Sequence, residues 1–316
     1  MSSLFKLVGN TPLVPLEGLC PQNSNIRILA KLEMYNPTAS VKARAAAHIL
    51  KTAENDGRIS PGSVILDASS GNTGIAYAAL SCAKGYRLKL CLPSNVNKER
   101  KGLLQAYGVE CIYTSPLEGS DGAIRKARQL AAENPSWFYC DQYANEANWK
   151  AHYEGTGPEI WEQTKQKVTH FVSSLGTSGT FVGTSRYLKQ VSNGKVKCYS
   201  VQPDSPFHGL EGMKHMETAI VPPIYDSTIA DEALEASTEE SFALLRHVAR
   251  TQGLLIGPSC AAALYGALTV SQKISSGTIV VIFPDSGERY LSEPHLWQED
   301  IADEDFLQAY QLKRRA

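Results

Sequence analysis

No stretch of the 316 residues approaches the roughly 20 consecutive apolar residues of a membrane-spanning helix, so none is expected. No charge sign is in excess: 31 Lys and Arg stand against 32 Asp and Glu, a net of −1. A basic stripe is missing too, which removes the electrostatic footprint of a nucleic-acid binder. The seven cysteines, at 20, 82, 91, 111, 140, 198 and 260, form no CxxC pair and no Cys/His cluster at zinc spacing. Neither a metal site nor a disulfide scaffold is therefore expected, and the scattered, odd-numbered set fits a reducing cytoplasm. Residues 1–6 carry no long apolar segment, so no secretory signal is expected. Neither GxxxxGK[ST] nor GxGxxG occurs, which leaves nucleotide binding without support. Internal repeats and low-complexity segments are missing as well. What remains is ordinary globular usage, 43% hydrophobic and 20% charged. The length suits two domains of about 150 residues, or one α/β unit with two lobes.

Short apolar runs alternate with helical patterns along the chain. Ile26–Leu32, Val64–Asp67, Leu88–Leu92, Val109–Tyr113, Phe171–Leu175, Lys197–Val201 and Thr278–Phe283 read as strands. Ala43–Asn55, Gly74–Lys84, Lys98–Tyr107, about Gly122–Ala132, and Phe181–Leu188 read as helices. Such alternation implies parallel sheet built from right-handed crossovers. Thr278–Phe283 is almost wholly β-branched and apolar, the pattern of a central strand covered on both faces. Ser237-Thr-Glu-Glu240 is a capping box ahead of a helix that places Phe242, Leu245 and Ala249 on one face. Residues 202–236 hold four prolines without periodicity and read as a long functional loop. The polar stretch Gln298–Arg315 reads as a surface helix, placed to cover a partner subunit.

Two turns are richer in small polar residues than a strand-to-helix connection requires. Ser69-Ser-Gly-Asn-Thr-Gly74 follows one strand, and Gly176-Thr-Ser-Gly-Thr180 follows another. Each sets free N–H groups and hydroxyls at the positive end of a helix, which is an anion site. Lys42, in Asn36-Pro-Thr-Ala-Ser-Val-Lys-Ala-Arg44, stands where a helix begins among Ala39, Ser40, Ala43, Ala45 and Ala46. A helix-start lysine is ordinarily solvated. Held among small residues near an anion loop, it is a candidate Schiff-base former, because desolvation leaves a nucleophilic amine.

These residues resemble the fold-type II pyridoxal-phosphate enzymes, specifically the cysteine synthases and among them the B type. The likeness is carried by Val8-Gly-Asn-Thr-Pro-Leu13, Asn36–Arg44, Ser70–Gly74, Thr156-Gly-Pro-Glu-Ile-Trp161, Thr169–Ser174, Gly176–Thr180 and Pro284-Asp-Ser-Gly-Glu-Arg-Tyr-Leu291. It implies an α/β fold of two lobes like tryptophan synthase β, each a mostly parallel twisted sheet flanked by helices. Residues 1–42 plus 144–316 would anchor the cofactor, and 43–143 would form a small mobile domain that closes on substrate. The resemblance implies that Lys42 carries pyridoxal 5'-phosphate covalently. Asn72 would bond its 3'-oxygen, Gly176, Thr177, Ser178, Gly179 and Thr180 its phosphate, and Ser259 would face the ring nitrogen. Ser259 also reads as a plain helix N-cap. Ser69, Ser70, Asn72, Thr73 and Gln142 would hold the substrate carboxylate, with Gly212 and Lys214 lining the mouth. No metal ligand is implied.

The implied activity is β-replacement on an O-activated L-serine, O-acetylserine or O-phosphoserine, by a sulfur nucleophile. The product would be L-cysteine or an S-substituted analogue. A cytoplasmic homodimer is implied, and partners would be the amino-acid substrate and the tail of serine acetyltransferase or a sulfur-carrier protein. The family usually has Gly at 39 and 261, Asp at 43 and an aliphatic residue at 258, where this chain has Ala39, Ala261, Ala43 and Pro258. Gln142-Tyr-Ala-Asn-Glu-Ala-Asn-Trp149 resembles both the B-type enzymes and a branch that uses an amine nucleophile and makes 2,3-diaminopropionate precursors. Two alternatives therefore stay open: that amine-using activity, and a degenerate relative that grips a partner's C-terminal tail.

Overall fold

The computed structural model describes residues 3–19, 25–69, 71–298, 302–310 and 312. Ten strands and twelve helices run in the order α1 (Ser3–Lys6), β1 (Leu13–Pro15), β2 (Asn25–Leu32), α2 (Lys42–Asn55), β3 (Val64–Ala68), α3 (Asn72–Lys84), β4 (Arg87–Pro93), α4 (Lys98–Ala106), β5 (Glu110–Thr114), α5 (Gly119–Glu133), β6 (Phe138–Tyr139), α6 (Glu146–Ala151), α7 (Gly157–Gln163), β7 (His170–Ser174), α8 (Gly179–Val191), β8 (Lys197–Pro203), β9 (Glu232–Ala236), α9 (Thr238–Gln252), α10 (Pro258–Lys273), β10 (Ser276–Phe283), α11 (Pro294–Trp297) and α12 (Ala302–Ala309). A π-turn, His152–Thr156, joins α6 to α7.

The strands form two sheets, in orders β1-β2-β10-β7-β8-β9 and β5-β4-β3-β6. Among the described residues only β1 pairs antiparallel within a sheet; every other ladder is parallel. β10 lies between β2 and β7, as its β-branched apolar run requires, and its last five residues are buried. α10 packs across β10, β7 and β8. Its first two turns, Pro258–Leu264, are entirely buried, the mark of a helix covered all round. In the smaller sheet β3 alternates faces: Ile65 joins the core under α2 and α3, while Leu66 packs toward Ala123, Ile124 and Ala127 of α5. Leu4, Phe5 and Val8 rest against the core beside the smaller sheet, while β1 just after them joins the larger one.

Two expectations change. The region 202–236 is not loop throughout, because it ends in β9, an edge strand whose inward residues Leu234 and Ala236 alternate with exposed ones. The short Ala-Leu-Glu-Ala alternation behind a proline-rich stretch concealed it. The tail helix α12 packs on α9 of its own chain, where Leu307 and Leu312 join the core and Asp303 receives a bidentate pair from Arg246 (2.7 and 2.6 Å). Among the described residues no helix is long and apolar enough to cross a membrane.

Strands of both sheets deliver their C-terminal ends to one cleft. The first turn of α2, which carries Lys42, is pinned there by a buried ionic network. Arg44 makes a bidentate pair with Glu33 (2.7 and 2.9 Å) and another with Glu159 (2.7 and 2.7 Å), and Lys31 closes on Glu159 at 2.6 Å. Removing one partner of so buried a set costs about 3–5 kcal/mol, because it strands the other charge.

Candidate active site

The segment Asn36–Val41 leads from β2 into α2 and is stitched to the end of β10. Val41 N–H donates to the Pro284 carbonyl (2.8 Å), and Ser40 pairs with Asp285. Lys42 is thereby aimed into the cleft. Its amine makes no hydrogen bond or ion pair among the described residues, and burial lowers its pKa, opposed by the charges of Asp285 and Glu33. Just before it, Ala39 holds φ +50°, the left-handed region that glycine occupies without cost.

The turn after β7 is shaped by close approaches. A Cβ at Gly176 would lie 2.4 Å from the Gly212 carbonyl oxygen, and one at Gly179 would lie 2.1 Å from Asn148 Oδ1. Ser178 takes φ +68° to turn the chain into α8. Asn148 Nδ2 donates to Thr177 Oγ1 (3.1 Å) and to the Gln142 carbonyl (2.6 Å). Thr180 Oγ1 lies 3.3 Å from Nε2 of His152, whose Nδ1 meets Thr156 Oγ1 at 2.9 Å. Burial, then the cations Arg44 and Lys42, push His152 well below the usual imidazole range, so the ring is neutral. Ser178 Oγ is buried with no hydrogen-bond partner among the described residues. A narrow cavity joins this turn to Lys42, Asn72 and Ser259. An unpaired buried hydroxyl and a glycine-shaped turn at a helix N-terminus fit a phosphate group.

Facing it across the cleft, Ser69 Oγ accepts the N–H groups of Gly74 (3.0 Å) and Gly71 (3.3 Å). Thr73 is buried in the first turn of α3. Gln142 Nε2 donates to the Ala68 carbonyl (2.8 Å), which fixes the side chain beside that loop. Beneath it Asp67 accepts the N–H groups of Ala68 (2.8 Å) and Gln142 (3.4 Å), and burial lifts its carboxyl to about 7. Ser70 lies outside the described residues.

Ser259 lines the narrow cavity but does not cap its helix. Gly257 is the N-cap, Pro258 the first helical residue and Ser259 the second. Proline at the first position loses nothing there, so the helix starts two residues earlier than the N-cap reading expects. The wider part of the cleft, about 610 Å³, reaches Ser69, Thr73, Gln142, Gly212 and Lys214. The turn through Gly212 (φ +86°) carries Glu211, paired with Arg100 of α4, and Lys214, whose Nζ lies 3.1 Å from Asp121 Oδ1 of α5.

Except for Ser70, and for Gly179, which turns the chain between two lining residues, the residues singled out from the sequence therefore line one cleft. Asp285, Arg289, Asn148, His152, Arg100, Glu211 and Asp121 were not singled out. Asp285 and Arg289 did stand inside the quoted Pro284–Leu291 run, which was the available signal. Residues 4–285 match the family described as pyridoxal-phosphate dependent enzyme. The chain is 44% identical over 297 residues to the cysteine synthase of Aquifex aeolicus, covering 92% of this chain and 90% of that one. It is 40% identical over 292 residues to the cysteine synthase B of Escherichia coli, covering 92% and 95%. The crystal structure of the Entamoeba histolytica cysteine synthase superposes with a TM-score of 0.90 at 33% identity, over 100% of this chain and 96% of that one. With fold, cleft and likeness in agreement, the chain belongs to the pyridoxal-phosphate dependent enzymes, and within them to the cysteine synthase family.

Proposed function

We propose that the cleft binds pyridoxal 5'-phosphate through Lys42 together with an O-activated L-serine, and replaces the serine's β-substituent with a sulfur nucleophile to give L-cysteine or an S-substituted analogue. One observation carries the reading: a desolvated lysine amine, an anion cradle at a helix N-terminus and a second Ser/Thr loop converge on one cleft. The Gly176–Thr180 turn would hold the phosphate, Asn72 the 3'-oxygen, and Ser259 would face the ring nitrogen. When bound, the cofactor supplies an electron sink for the pair left behind as the substrate's α-proton departs. Lys42 Nζ, whose pKa burial lowers, would take that proton as general base once the substrate's amine has taken its place on the cofactor. Ser69, Ser70, Thr73 and Gln142 orient the substrate carboxylate. A hydroxyl at Ser259, unlike a carboxylate, leaves the ring nitrogen without a full proton, which favours elimination and replacement over amino-group transfer.

Residues 43–143 close on 1–42 and 144–316 as the Ser69–Thr73 loop grips the carboxylate, which excludes water. Supporting this, Arg100–Glu211 and Asp121–Lys214 already span the mouth, and Asn97 Nδ2 reaches the Arg289 carbonyl at 3.3 Å. Slower hydrogen exchange in 43–143 on adding substrate checks the motion. The reading includes a cytoplasmic homodimer. It also includes docking of a partner's tail, from serine acetyltransferase or a sulfur carrier, because Leu117 and Phe207, each 96% exposed, adjoin Pro116 and His208 of the cleft lining.

The test loads the protein with pyridoxal phosphate and supplies O-acetylserine with sulfide, or with glutamate as the rival amine. L-cysteine forms, and Lys42→Ala abolishes both turnover and the borohydride-trapped adduct on residue 42. Wild-type protein without that adduct overturns the reading.

A further inference from the structure

Asp285 is completely buried at the meeting point of four segments of the cleft. Its Oδ2 accepts hydrogen bonds from Asn72 Nδ2 and from the Tyr290 hydroxyl, both at 2.6 Å. Its backbone carbonyl accepts from Cys260 Sγ (3.2 Å) and Gly257 N–H (3.3 Å), and its backbone pairs with Ser40, two residues before Lys42. Gly257 has no room for a side chain: a Cβ there would sit 2.1 Å from Asp285 Oδ1. On its other side Asn72 accepts from Arg289 Nη1, and Arg289 Nη2 donates to the Thr38 carbonyl. A carboxylate only accepts and a guanidinium only donates, so one orientation of the Asn72 amide satisfies both. That orientation uses one Nδ2 hydrogen on Asp285 and leaves the second for an oxygen in the cleft.

The charges around this carboxylate are unevenly matched. Tyr290 and Cys260 are both pushed well up by burial and stay neutral. The cations nearby are Arg289 from its own segment, Arg100, 5.3 Å over the Tyr290 ring, and Lys42 from α2, on which Glu33 also acts. Lys42 alone among these three cations has no hydrogen bond or ion pair among the described residues. Resting on the cofactor reading above, the geometry points to Asp285 as a positioning residue of this site, which orients the Asn72 amide and supplies the buried negative charge opposite Lys42.

A negative charge in a low-dielectric setting favours a proton on the C=N nitrogen that Lys42 contributes when loaded. The test is a pH titration of the absorbance of the loaded protein, which reads that proton directly and needs no turnover. In the wild type the long-wavelength, protonated form persists to high pH. Asp285→Asn lowers the midpoint by about one pH unit or more. Tyr290→Phe keeps the carboxylate and removes a donor that screens it, so its midpoint stays at or above that of the wild type. Asp285→Asn loaded with an unshifted midpoint overturns the proposal. So does Tyr290→Phe with a lowered midpoint, which stands as the deciding result where Asp285→Asn fails to fold or load. A wild type that forms no Lys42 adduct overturns the functional reading and this proposal together, whereas a loaded wild type indifferent to these substitutions overturns this proposal alone.

Discussion

Lys214 Nζ lies 3.1 Å from Asp121 Oδ1, so a cation held beside the larger sheet meets an anion on a helix of the smaller sheet above the mouth of the cleft. Lys214 is 7% exposed and stands 5.2 Å from the Tyr143 ring centroid, which confines it to that place. Its charge is thus already answered, and a phosphate leaving group finds less attraction than a free lysine would offer. At an effective dielectric near 20, a cation about 4 Å from an anion is worth roughly 4 kcal/mol before desolvation. Asp121→Asn should raise kcat/KM for O-phosphoserine about tenfold and leave O-acetylserine nearly unchanged. Lys214→Ala should weaken O-phosphoserine turnover by roughly ten- to a hundredfold. Steady-state kinetics on both esters decide it, and equal changes on both would remove Lys214 from leaving-group recognition.

Ala39 at φ +50° carries a local strain. The left-handed conformation costs an L-residue roughly 1–2 kcal/mol, while glycine costs about 0.5–1 kcal/mol more in unfolded-chain entropy. Ala39→Gly should therefore stabilise the fold by about 0.5–1 kcal/mol, a rise of roughly 1–3 °C in Tm. Calorimetry on matched preparations measures it, and a lowered Tm would mean that the backbone there is not strained.

Asp67 titrates near 7 in the fold against 3.8 in the open chain, principally because burial disfavours its charge. Between those values the folded state binds more protons than the unfolded one, so stability falls as pH rises from about 4 to about 7. The loss approaches a few kcal/mol, since each pKa unit is worth about 1.4 kcal/mol. Asp67→Asn should flatten this part of the pH–stability curve in urea titrations at pH 4, 5.5 and 7. A wild-type curve equally steep after the substitution would assign the slope to other groups.

Gly176→Ala would drive a methyl carbon to 2.4 Å from the Gly212 carbonyl oxygen, which is backbone and cannot swing aside. The phosphate turn must then shift, and cofactor affinity should drop by at least about tenfold, roughly 1.4 kcal/mol. Equilibrium dialysis of the variant against pyridoxal phosphate gives the number. Unchanged affinity would show that the cradle does not depend on this approach.

Much of this fold was legible because its signals are local. The apolar runs that became β3, β4, β7 and β10 are short, dense and bounded by turn residues, and parallel strands buried on both faces need no alternation to be recognised. The hydroxyl-rich turns at Ser69 and Gly176 were legible for the same reason. What escaped notice depends on partners far away in the chain. α6 and α7, from Glu146 to Gln163, read as polar because Asn148, His152, Thr156 and Glu159 face inward to buried partners rather than to a greasy core. Asp285 stood in a quoted motif, yet nothing adjacent reveals that Asn72 is its partner, 213 residues earlier. Ser259 looked like a cap because proline behind a glycine resembles a loop until the helix is seen to begin at Pro258.

The stitch between the Lys42 segment and the end of β10 has a consequence for synthesis. Lys42 leaves the ribosome early, and Pro284 and Asp285, which fix its setting, follow roughly 240 residues later, about 10–50 s at ordinary elongation rates. For the later part of that interval β3 to β6 are complete, while Ser40 and Val41 still lack their backbone partners and Lys42 its counter-charge. Until residues 284 and 285 are made, the Lys42 segment lacks the partners that aim it into the cleft, so the setting of the amine is completed only after β10.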